Sequence, residues 1–280
     1  MPEGHTLHRL AGALDSRFRG RPVSVSSPQG RFEDSARLLD GGRIEGAQAW
    51  GKHLFVEFEA ERFVHVHLGL IGRFDVSDGP APPPVGAVRL RLVSAPPGPS
   101  YADLRGATTC ELLTAEGRGV VLARLGPDPL REDADWTAAW ARISRSRVPI
   151  GALLMDQSVL AGVGNVYRAE LLFRHRIHPL RPGNTMRRSR FEAMWADLVA
   201  LMHEGLATGR IDTVREAHTP DAMGRPPRVD DHGGEVYVYR RTGQPCHVCG
   251  ATVRTEPLAG RNLFWCPRCQ PPFRSRASSA

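Results

Sequence analysis

Two Cys-x2-Cys pairs near the C-terminus constrain the fold more than any other feature of the chain. The segment "CHVCGATVRTEPLAGRNLFWCPRC" holds Cys246 and Cys249 in one pair and, after sixteen intervening residues, Cys266 and Cys269 in another. Four thiolates on two tight turns supply the tetrahedral sulfur ligands that Zn²⁺ prefers. A unit of about 35 residues cannot hold a core without such a crosslink. The spacing therefore predicts a zinc finger of the ribbon type with one structural Zn²⁺ ion, rather than two disulfides.

The charge balance favours a polyanionic partner. The chain has 37 Lys and Arg residues against 30 Asp and Glu, a net charge of +7, and nearly all of the basic residues are arginine. The planar guanidinium of arginine matches phosphate with two parallel hydrogen bonds. No apolar run approaches the ~18 residues of a membrane span, and the N-terminus lacks the pattern of a signal peptide. We therefore expect a monomer in the cytoplasm, associated with the nucleoid and with no membrane partner.

Hydrophobic periodicity divides the chain into an α+β arrangement. Apolar residues at helical spacing over 5–20 predict an N-terminal helix. From about 22 to 125, short alternating runs such as "HLFVEFEA", "RFVHVHLG", "AVRLRLV" and "TTCELL" predict the strands of a β-sandwich or barrel. We expect this first domain to span residues 2–125.

The composition changes at "LGPDPLRED", where helical patterns begin. Helices are predicted around Trp136 and Trp140, in "PIGALLMD", in "NVYRAELLFRH", and from about Phe191 to a stop near Gly209. Residues 217–234 have no apolar period and are predicted to form a mobile loop or linker. The expected units are a helical domain with this loop over 126–234, the zinc finger over 235–270, and a polar tail over 271–280.

The segment "LLMDQSVLAGVGNVYRAELLF" places two glycines between two predicted helices. Gly162 and Gly164 permit a tight turn, and Asn165 is a good N-cap residue for the second helix. A helix start that is entered through glycine offers backbone N–H groups and the positive end of the helix dipole, which suit a phosphate. Taken alone, the segment is explained better as an ordinary tight helix–helix turn.

Taken together, these motifs resemble the formamidopyrimidine-DNA glycosylase/endonuclease VIII family. The resemblance rests on "PEG" at the start, "WGKHL" around Lys52, "LMDQSVLAGVGNVYRAELLF", and the four-cysteine finger with "GRNLFWC", and it covers about residues 2–270. The opening "PEGHT" is most similar to the endonuclease VIII branch, in particular to its actinobacterial members. The resemblance implies an N-terminal helix with a β-sandwich, a helix–two-turns–helix domain and a zinc finger. It further implies excision of oxidised bases from double-stranded DNA and cleavage at the abasic site.

The start of the chain fits the chemistry that this resemblance implies. Once the initiator methionine is removed, Pro2 carries a terminal amine, whose pKa of about 7.7–8.0 leaves more of it nucleophilic at neutral pH than a lysine. A secondary amine that attacks the sugar C1′ gives a cationic iminium, which drives β- and δ-elimination of the two phosphates. By the resemblance, Pro2 is the nucleophile and Glu3 the acid/base that helps to open the sugar ring. A favourable helix start is the alternative explanation for this pair.

The resemblance also assigns DNA-contacting residues. Lys52 matches a lysine that binds phosphate near the lesion and supports catalysis, and Asn165 and Arg261 match two further phosphate ligands. An enzyme that flips a nucleotide out of the duplex has to fill the vacancy. Leu70 in "HLGLIG" is the candidate wedge, with Ile71 as the alternate, and Arg105 in "DLRG" is the candidate contact to the opposite base.

The sequence departs from the family pattern at two places. Thr6 stands where many relatives have a second glutamate, so any role of that carboxylate in positioning the base is absent or supplied differently. The segment "DLRGATTC" lacks the aromatic residue that follows the arginine in the formamidopyrimidine branch, which puts strong selectivity for the opposite base in doubt. His65 and His67 alternate with valines on a predicted strand, and a structural or surface role is favoured for them.

Three functional hypotheses follow. The leading one is a bifunctional DNA glycosylase and AP lyase acting on oxidised pyrimidines, with 8-oxoguanine as the alternative substrate. The second is a zinc-finger protein that binds damaged or abasic DNA without catalysis, which would have no need of a terminal amine. The third, a zinc-dependent nuclease, is excluded because four thiolates saturate the metal and leave no position for water.

Overall fold

The structure is a computed structural model that describes residues 2–229 and 234–273. The chain divides into two compact units, Met1–Arg124 and Leu125–Ala280, and the division falls at the start of "LGPDPLRED". Of the predicted polar tail, residues 274–280 lie outside the described residues. No helix in the described part of the chain is long and apolar enough to span a membrane.

The first unit contains three helices and two four-stranded antiparallel sheets. Its helices are α1 (Gly4–Phe18), α2 (Glu33–Leu39) and α3 (Ala115–Leu122). Its strands are β1 (Val23–Ser26), β2 (Ile44–Trp50), β3 (His53–Phe58), β4 (Arg62–His67), β5 (Arg73–Asp78), β6 (Val88–Ser94), β7 (Ser100–Arg105) and β8 (Thr109–Leu113). One sheet has the order β1-β6-β7-β5 and the other has the order β2-β3-β4-β8. This is the predicted β-sandwich.

The two sheets and α1 share one hydrophobic core. Strand alternation sends Leu90 and Leu104 inward from one sheet and Leu54 and Val66 inward from the other, and all four are fully buried. The apolar face of α1 adds residues at helical spacing to the same core, namely Leu7, Leu10, Leu14 and Phe18. The opposite face of the second sheet carries polar and aromatic side chains, so the two faces of that sheet differ in chemistry.

The second unit is helical and ends in a β-hairpin. Its helices are α4 (Trp136–Ile143), α5 (Ile150–Leu153), α6 (Asn165–Arg174), α7 (Arg188–Thr208) and α8 (Pro220–Met223), and the hairpin is β9 (Arg254–Leu258) with β10 (Arg261–Trp265). The helix α7 ends, as predicted, at Gly209, whose φ of 75° is a left-handed conformation that suits glycine. A buried core of aliphatic and aromatic residues joins these helices to the hairpin.

A buried carboxylate connects α6 to the segment that leads into the finger. Glu170 is fully buried and accepts hydrogen bonds from the backbone N–H groups of Tyr237, Val238 and Tyr239 at 2.6–2.8 Å. It also accepts a 2.7 Å hydrogen bond from the hydroxyl of Thr213. These four donors satisfy a charged group that would be very costly to bury alone.

The structure differs from the sequence-based expectations in three places. Strands β1, β2, β5 and β7 and the helices α2 and α3 have no counterpart among the predicted elements. The predicted loop 217–234 begins within the 3-10 turn Glu216–His218 and contains α8, and its residues 230–233 lie outside the described residues. The N-cap of α6 is Gly164 rather than Asn165, so the predicted cap was wrong by one residue, because the Asn165 side chain turns towards β10 instead.

Candidate active site and zinc centre

The N-terminal Pro2-Glu3 segment leads directly into α1. Glu3 is the N-cap residue of that helix, and its carbonyl accepts a 2.9 Å hydrogen bond from the N–H of Thr6. The whole of Glu3 is buried, with 0% of its surface exposed, whereas Pro2 is half-buried. A carboxylate that is withdrawn from water beside a half-buried terminus is unusual for a plain helix start, where acidic residues are ordinarily exposed.

The direction of α1 places this segment at a defined end of the sheet. Arg19 forms a bridge to Ile44, and the carboxylate of Asp15 accepts a 3.1 Å hydrogen bond from the N–H of Ala47. Going backwards along α1 therefore corresponds to going forwards along β2. From Asp15 back to Gly4 the helix covers about 16 Å. From Ala47 to Trp50 the strand covers about 10 Å, and the two-residue turn Gly51-Lys52 follows. The start of α1 and the β2–β3 turn thus lie at the same end of the sheet.

Lys52 lies in that turn, after Gly51, whose φ is 58°. It is the single lysine of the chain, because the other 36 of the 37 basic residues are arginine. A lysine presents a compact ammonium where an arginine presents a planar guanidinium fork, so Lys52 differs in chemistry from every other basic side chain of the protein. This difference can be seen in the composition, but it was not used to predict Lys52.

The predicted wedge residues lie at the tip of the β4–β5 turn. Leu70 is 52% exposed and Ile71 is 85% exposed, which is high for large aliphatic side chains. The turn is held by Gly69, which has a φ of 71° and where an added Cβ would lie 2.0 Å from the hydroxyl of Thr108. A fixed backbone with exposed aliphatic side chains has the form of a wedge, and Ile71 is the more exposed of the two candidates.

Arg105, the predicted contact to the opposite base, is engaged in ion pairs. Its guanidinium donates to Asp75 at 3.0 Å, to Asp103 at 2.9 Å and to the carbonyl of Val85 at 3.1 Å. Burial alone would raise the pKa of Asp103, but the hydrogen bonds and charge of Arg91, and then those of Arg105, hold it below its ordinary value. The structure therefore shows Arg105 as part of a charged network on the sheet surface.

In the second unit, the structure brings Asn165 next to the start of β10. The buried Asn165 side chain donates a 3.1 Å hydrogen bond to the carbonyl of Asn262 and accepts one from Arg168. Arg168 donates to the same carbonyl at 3.0 Å. Arg261, one residue before Asn262, is exposed at the start of the strand. Two of the predicted phosphate ligands, Asn165 and Arg261, are thus joined through one short stretch of backbone.

The four predicted zinc ligands converge. The Sγ atoms of Cys246 and Cys269 are 3.9 Å apart, those of Cys249 and Cys266 are 3.4 Å apart, and all four lie within 4.8 Å of one another. Sulfurs at 2.3 Å from a tetrahedral Zn²⁺ would be separated by about 3.8 Å. Over residues 2–229 and 234–273, no second group of three or more possible metal ligands meets the same geometry. The four thiols suit one structural zinc ion, as the spacing predicts.

Family models match three successive parts of the chain. Residues 1–110 match the formamidopyrimidine-DNA glycosylase N-terminal domain, residues 125–216 match the formamidopyrimidine-DNA glycosylase H2TH domain, and residues 243–272 match the zinc finger found in FPG and IleRS. The order of the three matches follows the order of sandwich, helices and hairpin along the chain.

Similar proteins cover nearly the whole chain. Endonuclease 8 1 of Mycobacterium tuberculosis is 56% identical over 274 residues, which are 96% of this chain and all of the relative. The formamidopyrimidine-DNA glycosylase of Thermomicrobium roseum is 33% identical over 251 residues, 84% of each protein. A structure of the Lactococcus lactis enzyme in complex with DNA containing an abasic site has a TM-score of 0.77 and 26% identity, and it covers 96% of this chain and all of that chain.

The fold, the four-cysteine centre and these matches define a DNA glycosylase that carries a zinc finger. Within that class, the chain belongs to the formamidopyrimidine-DNA glycosylase/endonuclease VIII family, whose members are DNA glycosylases with AP lyase activity.

Proposed function

We propose that this protein is a bifunctional DNA glycosylase and AP lyase that removes oxidised bases, chiefly pyrimidines, from double-stranded DNA. The observation that carries the proposal is the antiparallel run of α1 along β2. It puts the buried carboxylate of Glu3 and the single lysine, Lys52, at one end of the sheet.

Pro2 is the proposed nucleophile after removal of Met1. Its secondary amine attacks C1′ of the damaged nucleotide as the bond to the base breaks, and the amine loses its proton. The C1′–O4′ bond of the sugar then opens, O4′ takes up a proton, and the product is an iminium ion. Because a secondary amine has no second proton to lose, this iminium stays cationic and draws electrons from the sugar. Loss of the 3′ phosphate and then of the 5′ phosphate follows by β- and δ-elimination.

Glu3 is the proposed acid/base of the same step. Its position next to Pro2 in the chain and its complete burial support a role in proton transfer to the opening sugar ring. Lys52 is proposed to bind a phosphate beside the lesion, since a lysine acts there as a point charge without imposing the planar geometry of arginine.

The second unit is also proposed to bind DNA phosphates. Asn165 and Arg261, joined through Asn262, are the proposed phosphate ligands, and the zinc ion holds the hairpin that carries Arg261. Leu70 or Ile71 is proposed to fill the vacancy that the flipped nucleotide leaves. For Arg105, a contact to the opposite base requires that it exchange at least one of its carboxylate partners for that base.

The preference for pyrimidines rests on the endonuclease VIII resemblance. Identity is 56% to Endonuclease 8 1 and 33% to a formamidopyrimidine-DNA glycosylase, and "DLRGATTC" lacks the aromatic residue of the latter branch. The test is the rate of excision from duplexes that carry thymine glycol, dihydrouracil or 8-oxoguanine. Faster excision of both pyrimidines supports the preference, and faster excision of 8-oxoguanine overturns it.

Blocking the terminal amine distinguishes the enzyme from a non-catalytic DNA-binding protein. A variant with an N-terminal tag that is not removed should bind abasic duplex as the untagged protein does but should not cleave it. Equal cleavage by tagged and untagged protein would exclude Pro2 as the nucleophile.

A further inference from the structure

A row of histidines and one glutamate lies on the face of the second sheet that points away from the core. On that face, cross-strand pairing places His53 opposite His67 and His65 opposite Glu111. The neighbouring positions on the same strands, Leu54, Val64, Val66 and Cys110, point into the core. His65 is only 4% exposed although it is on the outer face.

These side chains form a continuous hydrogen-bonded array. Nδ1 of His53 lies 2.8 Å from Nε2 of His65, and Nδ1 of His65 lies 2.8 Å from a carboxylate oxygen of Glu111. The rings of His53 and His65 are stacked with centroids 5.1 Å apart. Both nitrogens of His65 are therefore committed, one to a carboxylate and the other to a second imidazole.

Aromatic side chains and α3 lie beside the array. The ring of Phe55 stacks on His65 with centroids 4.9 Å apart. The guanidinium of Arg118 on α3 lies over the rings of Phe55 and Phe63, 5.5 Å and 5.1 Å from their centroids. The titratable groups that act on His53 are thus His65, His67 and Lys52, and Glu111 contacts His65. Arg118 lies beyond them, over the ring of Phe55.

Lys52 directly precedes His53 in the chain, and its charge contributes to lowering the pKa values of His53 and His67 at the end of the array. Burial, and then the neighbouring His65, lowers the pKa of His53 to about 3. Burial, and then the charge of Lys52, lowers the pKa of His67. Both rings are therefore neutral at physiological pH, and a neutral imidazole has one N–H and one lone pair.

We propose that Glu111, His65 and His53 form a positioning array. The array fixes the neutral ring of His53 so that the acceptor nitrogen of this ring lies beside Lys52. In this way it holds the Lys52 ammonium in position to bind a phosphate. The carboxylate of Glu111 fixes the proton of His65 on Nδ1. Nε2 of His65 then accepts from Nδ1–H of His53, and Nε2 of His53 is left as a lone pair. This direction is favoured next to an ammonium, because an N–H turned towards Lys52 would be repelled.

This inference rests on the proposed phosphate contact of Lys52, and it deepens that proposal by naming what orients the lysine. Glu111, His65 and His53 are positioning residues, since they act through Lys52. The array resembles the general device in which a carboxylate sets the tautomer of a histidine and thereby the direction in which the far nitrogen acts.

The experiment uses the full chain with zinc bound and five variants, of which four concern the array and the fifth, Lys52→Gln, concerns the phosphate contact. Glu111→Gln removes the charge that fixes the tautomer, and its side chain is 49% exposed, so the fold should tolerate the change. Glu57→Gln is the matched control, because it neutralises a carboxylate on β3 of the same sheet. His53→Gln keeps a donor and an acceptor, whereas His53→Leu keeps neither.

Two measurements report on the array. Long-range ¹H–¹⁵N NMR identifies which ring nitrogen of each histidine carries the proton. Labelling with ¹³C,¹⁵N-lysine gives a single spin system, because Lys52 is the only lysine, and its two Hε protons are inequivalent when the side chain is held. In wild type and Glu57→Gln we expect His53 to be protonated on Nδ1 and the two Hε protons of Lys52 to be inequivalent. In Glu111→Gln we expect both of these features to be lost.

Binding to abasic duplex as a function of salt connects the array to phosphate. Loss of one phosphate contact should lower the slope of log K against log salt by about 0.9. In Glu111→Gln and His53→Leu we expect this lower slope and affinity reduced by about fivefold, equivalent to the net loss of one hydrogen bond. His53→Gln should retain the wild-type slope and affinity.

Three results would overturn the array: a proton on Nε2 of His53, a Lys52 signal that Glu111→Gln leaves unchanged, or wild-type salt dependence in His53→Leu. A Lys52→Gln variant separates this inference from the proposed function. If Lys52→Gln itself leaves the salt slope unchanged, Lys52 does not contact a phosphate, and the purpose assigned to the array is wrong as well. The NMR measurements still test separately whether the array holds the lysine.

Discussion

At the residue scale, we expect Glu3 to act through its carboxylate and not through its position at the start of α1. The residue is fully buried and its backbone carbonyl already serves the first turn of α1. Glu3→Gln keeps the size and the backbone contact but cannot transfer a proton. We expect excision of an oxidised pyrimidine to slow by about 10²–10⁴-fold. Cleavage of a preformed abasic site should be affected less, because its sugar already exchanges with the ring-opened aldehyde and depends less on Glu3 for ring opening.

Single-turnover excision assays on Glu3→Gln and wild type provide the measurement, and binding to an undamaged duplex is the control. Excision at the wild-type rate by Glu3→Gln would assign Glu3 to structure alone.

The residue scale also shows what the sequence could and could not predict. The four cysteines were predicted correctly because their spacing alone restricts them to one chemistry. The composition alone shows that Lys52 is unique, but the sequence does not show which side chains lie near it. His53, His65 and Glu111 come from three different strands, and only the observed register brings them into contact.

At the scale of elements, we predict that the two exposed aliphatic residues of the β4–β5 turn differ in their contribution to excision. Their backbone is fixed by Gly69, so the side chains differ mainly in exposure, 52% for Leu70 against 85% for Ile71. Truncating the true wedge should reduce excision from duplex DNA without lowering thermal stability, because an exposed side chain contributes little to folding. We expect one of Leu70→Ala and Ile71→Ala to slow excision by about tenfold or more, equivalent to at least 1.4 kcal/mol, and the other to have little effect.

Excision from duplex and single-stranded substrates by the two alanine variants separates the candidates. The defect should be confined to duplex DNA. Wild-type excision rates in both variants would show that neither side chain of this turn acts as the wedge.

A second prediction at this scale concerns the zinc finger. The β9–β10 hairpin is short, and its ligands converge on a tetrahedral arrangement, so metal binding supplies much of the free energy that orders it. Cys249→Ser, or removal of zinc with a chelator, should unfold the hairpin and weaken DNA binding through loss of Arg261. The metal has no open position for water, so added zinc should restore both binding and cleavage to chelated wild type together.

Measurement of zinc content, DNA affinity and cleavage in one titration tests this expectation. Restored affinity without restored cleavage would instead point to a catalytic metal ion.

Elements were predicted well where periodicity was strong and poorly where context decides. The helix α7 and the strand β3 follow clear patterns, and their limits agree with the prediction to within a few residues. The strands β2 and β5 contain glycine or charged residues, and pairing with their neighbours makes them strands. The helix α3 has no fully buried residue, so its sequence carries little amphipathic signal.

At the scale of the whole molecule, stability should depend on buried ion pairs in addition to the hydrophobic cores. In the second unit, Asp197 accepts from Arg174 at 2.6 Å and 2.8 Å and from His175 at 3.0 Å. Burial alone would raise the pKa of Asp197, but the hydrogen bonds from His175 and Arg174 hold it well below its ordinary value. A depressed folded-state pKa means that its stabilisation is present above about pH 4 and is lost as the pH falls further.

We expect Asp197→Asn to lower the free energy of unfolding at pH 7 by roughly 2–4 kcal/mol, because Arg174 would then be left half-buried without its partner. The difference from wild type should shrink as the pH falls below about 4. Asp133→Asn, which removes an exposed pair with Arg131, is the matched control and should change little. Denaturant unfolding at pH 7 and pH 3 measures both. A difference that is independent of pH would contradict the assignment.

Borohydride trapping on an abasic duplex shows whether the terminal amine of Pro2 forms the covalent intermediate. The protein should be untagged, with zinc bound and with removal of Met1 verified by mass spectrometry. Only two amines, that of Pro2 and that of Lys52, can form a trapped adduct, because the chain has one lysine. We expect a covalent adduct that peptide mapping places on Pro2. An adduct on Lys52, or no adduct at all, would contradict this expectation.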